Sequence, residues 1–448
     1  MNVTASQSPV RILALIGTRP EAIKMLPVVL ALRESKWFEP VVVTTGQHRD
    51  LVDPILELGA IEPDVDLGVG RPGLGLNDLV ATVVTRLDEF CRERFGAEGR
   101  DIATRTVILD DGFPAAALVH GDTSSALAAA IAAFNLRIPV VHVEAGLRTQ
   151  LTLSPFPEEL NRQLLARIAS FHLAPTTTNE ENLIDENVSH EKVFVTGNTG
   201  IDALRFAATL DVEFDDPRVA AAVAGASPIV TVTAHRRENW HGGLASIGQA
   251  IGELASRYAD TQFVIPLHPN PIVREELGDP LDGRGNVILC EPLSYAPFAR
   301  LLARSMLVIT DSGGIQEEAP ALDVPVLVTR DTTERGEGVT AGTLRLVGTD
   351  PVRILEEATL LLSDPGERSL MATAKNPYGD GHASERIVAA LEWLAGVGPP
   401  PVRFGPGFSR KAVLSAAGYR GGLFGPLFGE DRGAQPDRFD EDDRWVAG

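Results

Sequence analysis

Eleven short runs of β-branched and leucine-rich residues, spaced by longer helical patterns, constrain this chain more than any other feature. Six come first: RILALIG (11–17), PVVVTTG (40–46), AAALVHG (115–121), IPVVHVEAG (138–146), FHLAPT (171–176) and KVFVTGN (192–198). After a gap follow PIVTVTAH (228–235), TQFVIPLHP (261–269), NVILCEP (286–292), MLVITDSGG (306–314) and VPVLVTR (324–330). A strand with one wet face alternates polar and apolar residues, whereas these runs are apolar on both faces and end in Gly, Pro or polar residues. They read as parallel strands buried between helix layers. Two such series predict an α/β chain of two doubly wound parallel-sheet units, with the break between Thr196 and Asp202. The expected units are 1–198 and 199–378, followed by one more amphipathic helix within 379–396. From Val397 to 448 the chain turns Gly/Pro-rich and then acidic, which reads as a loosely ordered extension. Its aromatics Phe404, Phe408, Phe424 and Phe428 are expected to be disordered rather than docked.

Charge narrows the partners. A formal charge of −21, spread along the length, repels nucleic acid and anionic membrane, so an anionic ligand needs a local basic pocket. Cys91 and Cys290 stand far apart with no metal-ligand spacing. The polar start MNVTASQSP is no signal-peptide core, and no apolar run reaches the length of about 18 residues a membrane helix needs. A reducing cytoplasm is the expected location.

The strand ends carry the chemistry. GVGRPG (68–73) matches a dinucleotide fingerprint literally, but with no strand expected before it and Pro72 inside it, a mobile loop is the better expectation. IGTRPEAIKMLPVV (16–29) closes a strand and opens a helix, with Pro20 and Glu21 suited to its first turn. Arg19 and Lys24 then stand at the sheet's C-terminal edge, either as an anion site or as solvated helix residues. Asp122 in VHGDT and Glu144 in HVEAG end adjacent strands, and Glu158 with Glu159 opens a helix in SPFPEEL. Strand alternation pairs His120 with Asp122 and His142 with Glu144, which admits a divalent-metal reading. Crowded carboxylates whose proton affinities are pushed apart suit proton transfer better; simple helix capping is the dull alternative. His235, Arg236 and Arg237 end another strand as a diphosphate clamp, and PLHPNP places His268 similarly. In LVITDSGGIQEEAP (307–320) a Ser-Gly-Gly turn and helix start suggest a phosphate cradle, although Glu317 and Glu318 follow it.

Together, GTRPEAIKMLP, GQHRDLVD, VHGDT, HVEAGLRT, PEELNR, TGNTGIDAL, AHRREN, TDSGGIQEEAP, RDTTERGEGVTAGTLRLVGTD and NPYGDGHAS occur in one order over residues 10–395. In this the chain resembles the bacterial non-hydrolysing UDP-N-acetylglucosamine 2-epimerases. The resemblance implies a GT-B fold, two Rossmann-like domains facing across a cleft, with the last helix crossing back to the first. It implies reversible conversion of UDP-GlcNAc to UDP-ManNAc, without cofactor or metal, by anti elimination of UDP to 2-acetamidoglucal and re-addition. Asp122, Glu144 and Glu158 match the acid/base carboxylates, and His235 a proton donor to the departing phosphate. Arg19, Lys24, Arg236, His268, Ser312, Gly313 and Gly314 match the diphosphate side, and Glu318 an acceptor for the ribose hydroxyls. Family members are commonly homodimers, and many are activated by UDP-GlcNAc in a second pocket. Gln47, His48 and Arg71 match that pocket, with Arg49 beside them, but Asp50 stands where Gln or Glu is expected. The run CRERFGAEGRDIATRTVILDDGFP and the tail beyond Gly396 are extra. Alternatives are a 2-epimerase of a modified UDP-sugar such as UDP-2,3-diacetamido-glucuronic acid, and a hydrolysing epimerase. More distant are a GT-B glycosyltransferase, a metal-dependent hydrolase and a silent nucleotide-sugar sensor.

Overall fold

Every one of the eleven runs contributes a strand to one of two wholly parallel sheets. The structure, a computed structural model, describes residues 9–71, 73–96, 113–333, 335–399 and 401–404. The first sheet holds β1 (Val10–Ile16), β2 (Phe38–Thr44), β3 (Val65–Asp66), β4 (Ala116–His120), β5 (Val140–Val143), β6 (Phe171–Ala174) and β7 (Val193–Val195). Their spatial order is β3-β2-β1-β4-β5-β6-β7. The second holds β8 (Ile229–Thr233), β9 (Gln262–Pro266), β10 (Val287–Cys290), β11 (Leu307–Thr310), β12 (Val326–Val328) and β13 (Leu344–Leu346), in the order β10-β9-β8-β11-β12-β13. The short edge strands β3 and β13 have no counterpart among the runs, because two or three residues carry too little periodicity to register.

Side-chain alternation explains why both sheet faces are covered. Ile12, Ala14 and Ile16 of β1 pack with Met25, Leu26 and Val29 of the helix Arg19–Glu34. Leu13 and Leu15 point the other way, into Leu79, Val83 and Leu87 of the helix Leu76–Phe95. Each fully buried Ile, Leu, Val or Met among them contributes about 1.5–3 kcal/mol. The strand order reverses between β1 and β4 in one sheet and between β8 and β11 in the other. Open parallel sheets bind ligands at the C-terminal ends of strands beside such reversals. The turns there are 17–19 and 121–123 in the first sheet, and 234–236 and 311–314 in the second.

The chain passes between the sheets twice, and both crossings are tied down. The helix Thr199–Thr209 packs on Arg19–Glu34 and on Tyr295–Arg304. The helix Ala383–Leu394 returns to Arg19–Glu34, with Trp393 edge-on to Phe194 at 5.5 Å. Its first amides, Ala383 N and Ser384 N, donate to the buried Asp202 carboxylate at 3.2 and 2.7 Å. One apolar cluster runs unbroken from β1 through these helices to β11 and β12.

Two sequence expectations need correction. The GVGRPG segment does follow a strand, β3, and its first residues are tied to the turn after β2, while Pro72 lies outside the described residues. Leu67 N and Val69 N donate to Thr44 O and Thr45 O, both at 2.8 Å, and a side chain at Gly70 would overlap the Gly46 carbonyl. Phe404, assigned to the loose tail, is buried: its amide donates to Val195 O at 3.1 Å and Arg386 lies over its ring. Phe408, Phe424 and Phe428, the rest of the tail and 97–112 of the long run lie outside the described residues. No helix among the described residues is long and apolar enough to cross a membrane.

Candidate active site

On the first-sheet side, two turns are laced together by Glu21. Its carboxylate accepts from Gly17 N at 2.5 Å and Thr18 N at 2.8 Å, and also from Thr123 Oγ1. This joins the turn bearing Arg19 to the turn bearing Asp122. Burial pushes the Glu21 carboxyl above its ordinary range despite these donors. Asp122 is fixed from three directions. Asn161 Nδ2 donates to its carbonyl at 2.8 Å, and Arg162 holds its carboxylate through Nε at 2.8 Å and Nη2 at 2.7 Å. His142 Nε2 donates to the preceding Gly121 carbonyl at 2.7 Å, so that imidazole carries its proton on Nε2. Burial holds His142 down at about 3, neutral at ordinary pH. Arg162 is itself braced by the fully buried Glu159 at 2.9 Å. Glu158, one residue earlier, is half-buried at the first position of the helix Glu158–Ile168.

Glu144 is the most heavily charge-compensated group in the cleft. It adopts φ 62°, the left-handed region that side chains rarely take, at the turn after β5. Lys24 Nζ contacts both of its oxygens at 2.6 Å, and His120 Nε2 lies 2.9 Å away. Burial opposes ionisation of Glu144, but Lys24 and His120 outweigh it and hold the carboxyl well below its usual range. Lys24 in turn would be depressed by burial, yet Glu144, with Glu317 and Glu318 of the second-sheet side, raises it. The expected pairs His120/Asp122 and His142/Glu144 are therefore not formed. Instead His120 meets Glu144, His142 meets the Gly121 carbonyl, and Asp122, after Gly121 at φ 70°, meets Arg162. Lys24 is committed to Glu144 and is no solvated helix residue.

Across the cleft, Asp311 organises the turn after β8. It accepts from the amides of His235 and Arg236 and from Asn239 Nδ2, each at 2.9 Å. The His235 ring stacks on His268 with centroids 5.5 Å apart. Burial, helped by His268 and Arg236 and opposed by Asp311, holds His235 below its ordinary value. Arg236 Nε is buried without a partner among the described residues. Arg237 turns away, over the Trp240 ring, so the expected double-arginine clamp loses one member. Arg335 takes that place, and sequence reasoning missed it. A Cβ on Gly313 would lie 3.1 Å from Arg335 Cζ and 3.3 Å from Arg236 Nη2, so both guanidiniums converge on that glycine. The helix Gly313–Glu318 has only six residues, too short for a strong dipole, so the positive charge here comes from these side chains rather than from a helix terminus. Ser312 N donates to Thr310 Oγ1 at 3.0 Å, which removes one of the amides expected in the cradle. Gly314 is exposed.

The two carboxylates that follow the turn diverge. Glu317 accepts from Arg335 Nε at 2.9 Å and from Asn198 Nδ2 at 2.8 Å. Glu318 faces the cleft and is pushed up to about 7 by burial and by Glu317, against Lys24. Tyr295, its hydroxyl buried without a partner among the described residues, shares that environment with Glu318 and the exposed Arg19. Thr178 Oγ1 donates to Glu337 Oε1 at 2.8 Å, a further bond between the two sides.

The second-pocket trio sits on two touching segments, since a side chain at Gly70 would meet the carbonyls of Gly46 and Gln47. Gln47 Oε1 accepts from Ser125 Oγ at 2.7 Å, beside Gly17. His48 is exposed at the start of the helix Arg49–Leu58, and Arg49 pairs with Asp66 at 2.6 Å. Arg71 reaches Asp78 only at 3.8 Å, on the surface.

The family model for UDP-N-acetylglucosamine 2-epimerase matches residues 99–392. The UDP-N-acetylglucosamine 2-epimerase of Escherichia coli K12 is 46% identical over 387 residues, covering 85% of this chain and 98% of that protein. The crystal structure of the Neisseria meningitidis UDP-GlcNAc 2-epimerase bound to UDP-GlcNAc matches with TM-score 0.67 and 42% identity, over 85% of this chain and 99% of that one. The Methanocaldococcus jannaschii enzyme in complex with UDP-GlcNAc and UDP matches with TM-score 0.60 and 30% identity, over 86% and 100%. Two Rossmann-like sheets in GT-B arrangement, with this likeness along nearly the whole length of these relatives, mean that the chain belongs to the UDP-N-acetylglucosamine 2-epimerase family and is an isomerase.

Proposed function

We propose that the chain interconverts UDP-GlcNAc and UDP-ManNAc by anti elimination of UDP to 2-acetamidoglucal, followed by re-addition of UDP to carbon 1 with the proton delivered to the opposite face of carbon 2. The observation that supports this best is the division of charge across the cleft. Asp122, Glu144 and Glu158 stand on one side, and His235, Arg236 and Arg335 on the other. The proton on carbon 2 is not acidic, so a base must act as the bond from carbon 1 to UDP breaks and positive charge grows at carbon 1. A carboxylate-lined wall serves both needs, taking the proton and stabilising an oxocarbenium-like centre. The departing diphosphate gathers negative charge at Arg19, Arg236, Arg335 and the Ser312–Gly314 turn, and His235 gives a proton to its leaving oxygen. Glu318 accepts from the ribose hydroxyls, which makes the phosphate cradle specific for a nucleotide. Lys24 acts through Glu144, to which it is bound, rather than on the phosphates. The relatives from N. meningitidis and M. jannaschii, crystallised with UDP-GlcNAc, support the choice of substrate.

In this reading residues 1–198 carry the acid/base carboxylates, 199–378 bind UDP, and 379–396 cross back. Closure of the two units retains the glucal between half-reactions. A homodimer in the cytoplasm, with a second UDP-GlcNAc bound near Gln47, His48 and Arg71, belongs to the same proposal. NMR of UDP-GlcNAc with the enzyme in deuterated water tests it. The expected result is a mixture with UDP-ManNAc carrying deuterium at carbon 2. Free N-acetylmannosamine would point instead to hydrolysis, and no conversion or exchange, with or without added activator, would refute the proposal.

A further inference from the structure

Asp311, at the end of β11, is fully buried and divides its two oxygens between different tasks. Oδ2 accepts from the amides of His235 and Arg236 and from Asn239 Nδ2, all at 2.9 Å, and so fixes the turn. Oδ1 stands 3.1 Å from the His235 amide and 3.5 Å from the ring atom His235 Nδ1. The opposite constraint comes from His268, whose ring lies 12° from parallel to that of His235. His268 is itself held, since its Nδ1 accepts from the Asn270 amide at 3.1 Å, which leaves its proton on Nε2. Thus Asp311 Oδ1 lies beside the Nδ1 edge of the His235 imidazole, His268 lies against a face, and Nε2 is the ring nitrogen on the other edge.

We propose that Asp311 is a positioning residue that fixes His235 with its Nδ1 proton toward the Asp311 carboxylate, so that Nε2 is the atom that exchanges a proton with the diphosphate. The inference rests on the reading of UDP as leaving group. As the bond from carbon 1 to oxygen breaks, its electron pair stays on the phosphate oxygen and the Nε2 proton of the imidazolium moves there. Re-addition returns that proton to Nε2. Asp311 stabilises the imidazolium at its other nitrogen, the arrangement by which a buried carboxylate serves a histidine in hydrolytic triads. The charged groups facing the ring are Asp311, His268 and Arg236. Burial, His268 and Arg236 disfavour its charged form, and Asp311 favours it, so without the carboxylate the imidazolium has only the incoming diphosphate to support it.

Asp311→Asn separates the two tasks. The carboxamide oxygen in the Oδ2 position keeps the three donors, while the NH2 group in the Oδ1 position meets Nδ1 and drives the ring proton to Nε2. The expected results are UDP affinity within about threefold of the unaltered enzyme, kcat down at least about a hundredfold with KM little changed, and loss of the alkaline limb of the pH profile, the limb set by a proton donor. In 15N-histidine NMR, one of the nine histidines should exchange a protonated Nδ1 for a bare one. A variant that keeps kcat within threefold, or keeps Nδ1 protonated, overturns the proposal. If the variant does not fold, the unaltered enzyme still decides: a resting His235 with its proton on Nε2 refutes the pairing. The tautomer is read without turnover, so it remains decisive even if UDP-GlcNAc proves not to be the substrate.

Discussion

Gly313→Ala puts the convergence of two arginines to a direct test. The added Cβ would lie 3.1 and 3.2 Å from Arg335 Cζ and Nη1, and 3.3 Å from Arg236 Nη2. These are the ends of long side chains, so each yields a few tenths of an ångström without moving backbone. Gly313 starts a helix and is not among the positive-φ glycines, so Ala adds no backbone strain there and brings up to about 1 kcal/mol of helix propensity. The fold should therefore change by no more than about 1 kcal/mol, roughly 2–4 °C in Tm for a domain of this size. Binding should change far more. Losing one charge-assisted hydrogen bond to the diphosphate costs about 1.5–3 kcal/mol, which is roughly a 10- to 150-fold weaker Kd. Titration calorimetry with UDP, beside thermal melts, measures both. UDP affinity within twofold of the unaltered protein, at unchanged Tm, would refute the placement of the diphosphate at this turn.

Three further outcomes are expected. Glu318 loses its proton near pH 7 in the free protein, against an ordinary 4.5, so it lowers stability progressively as pH rises between those values. Because the ionised carboxylate accepts from ribose hydroxyls more strongly than the protonated acid, and through both oxygens, UDP-GlcNAc affinity should rise from pH 6 to 8 and lose that rise in Glu318→Gln; equal pH profiles for the two proteins would exclude Glu318 from the site. Lys24→Met leaves Glu144 with only His120. The stability that Glu144 contributes is present above the ordinary carboxylate range and lost as pH falls through its depressed folded value, so acid unfolding of the variant should begin at higher pH. This half-buried pair should be worth about 1–3 kcal/mol, below the roughly 3–5 kcal/mol of a fully buried one, and an unmoved acid transition would count against it. Cys91 and Cys290, both buried and pushed up to about 12 by that burial, should resist a thiol reagent at pH 8 until denaturant is added. Rapid labelling of either in the native protein would mean that the covering helices open readily.

What the sequence disclosed follows from the range over which each signal acts. The parallel sheets were legible because burial on both faces leaves continuous apolar runs, as in LVIT of β11 and VVHV of β5. The switch-point turns were legible because Gly, His, Arg and Asp at strand ends stand out against those runs. What stayed hidden were partnerships set by chain reversal. Nothing local says that Asp122 meets Arg162 rather than His120, since Arg162 stands on a helix forty residues later. Arg335 lies 22 residues beyond Gly313 in a segment with no anion motif, and only the fold brings the two together. Glu21 looked like a helix-start acid and Asp311 drew no reading of its own, because the role of each needs the neighbouring strand. The tail's composition pointed to disorder, but Phe404 finds the open edge of β7, which composition does not encode.

The central claim is that the bond between sugar and UDP breaks and re-forms at a cleft that also exchanges the proton on carbon 2. UDP-GlcNAc carrying 18O in the sugar–phosphate bridge, incubated with the enzyme in deuterated water, reports both events in one NMR sample. The expected result is deuterium at carbon 2 together with migration of the label from the bridge into non-bridging positions of the β-phosphate. Deuterium at carbon 2 with the 18O retained wholly in the bridge would contradict elimination and leave only deprotonation and reprotonation of an intact nucleotide sugar.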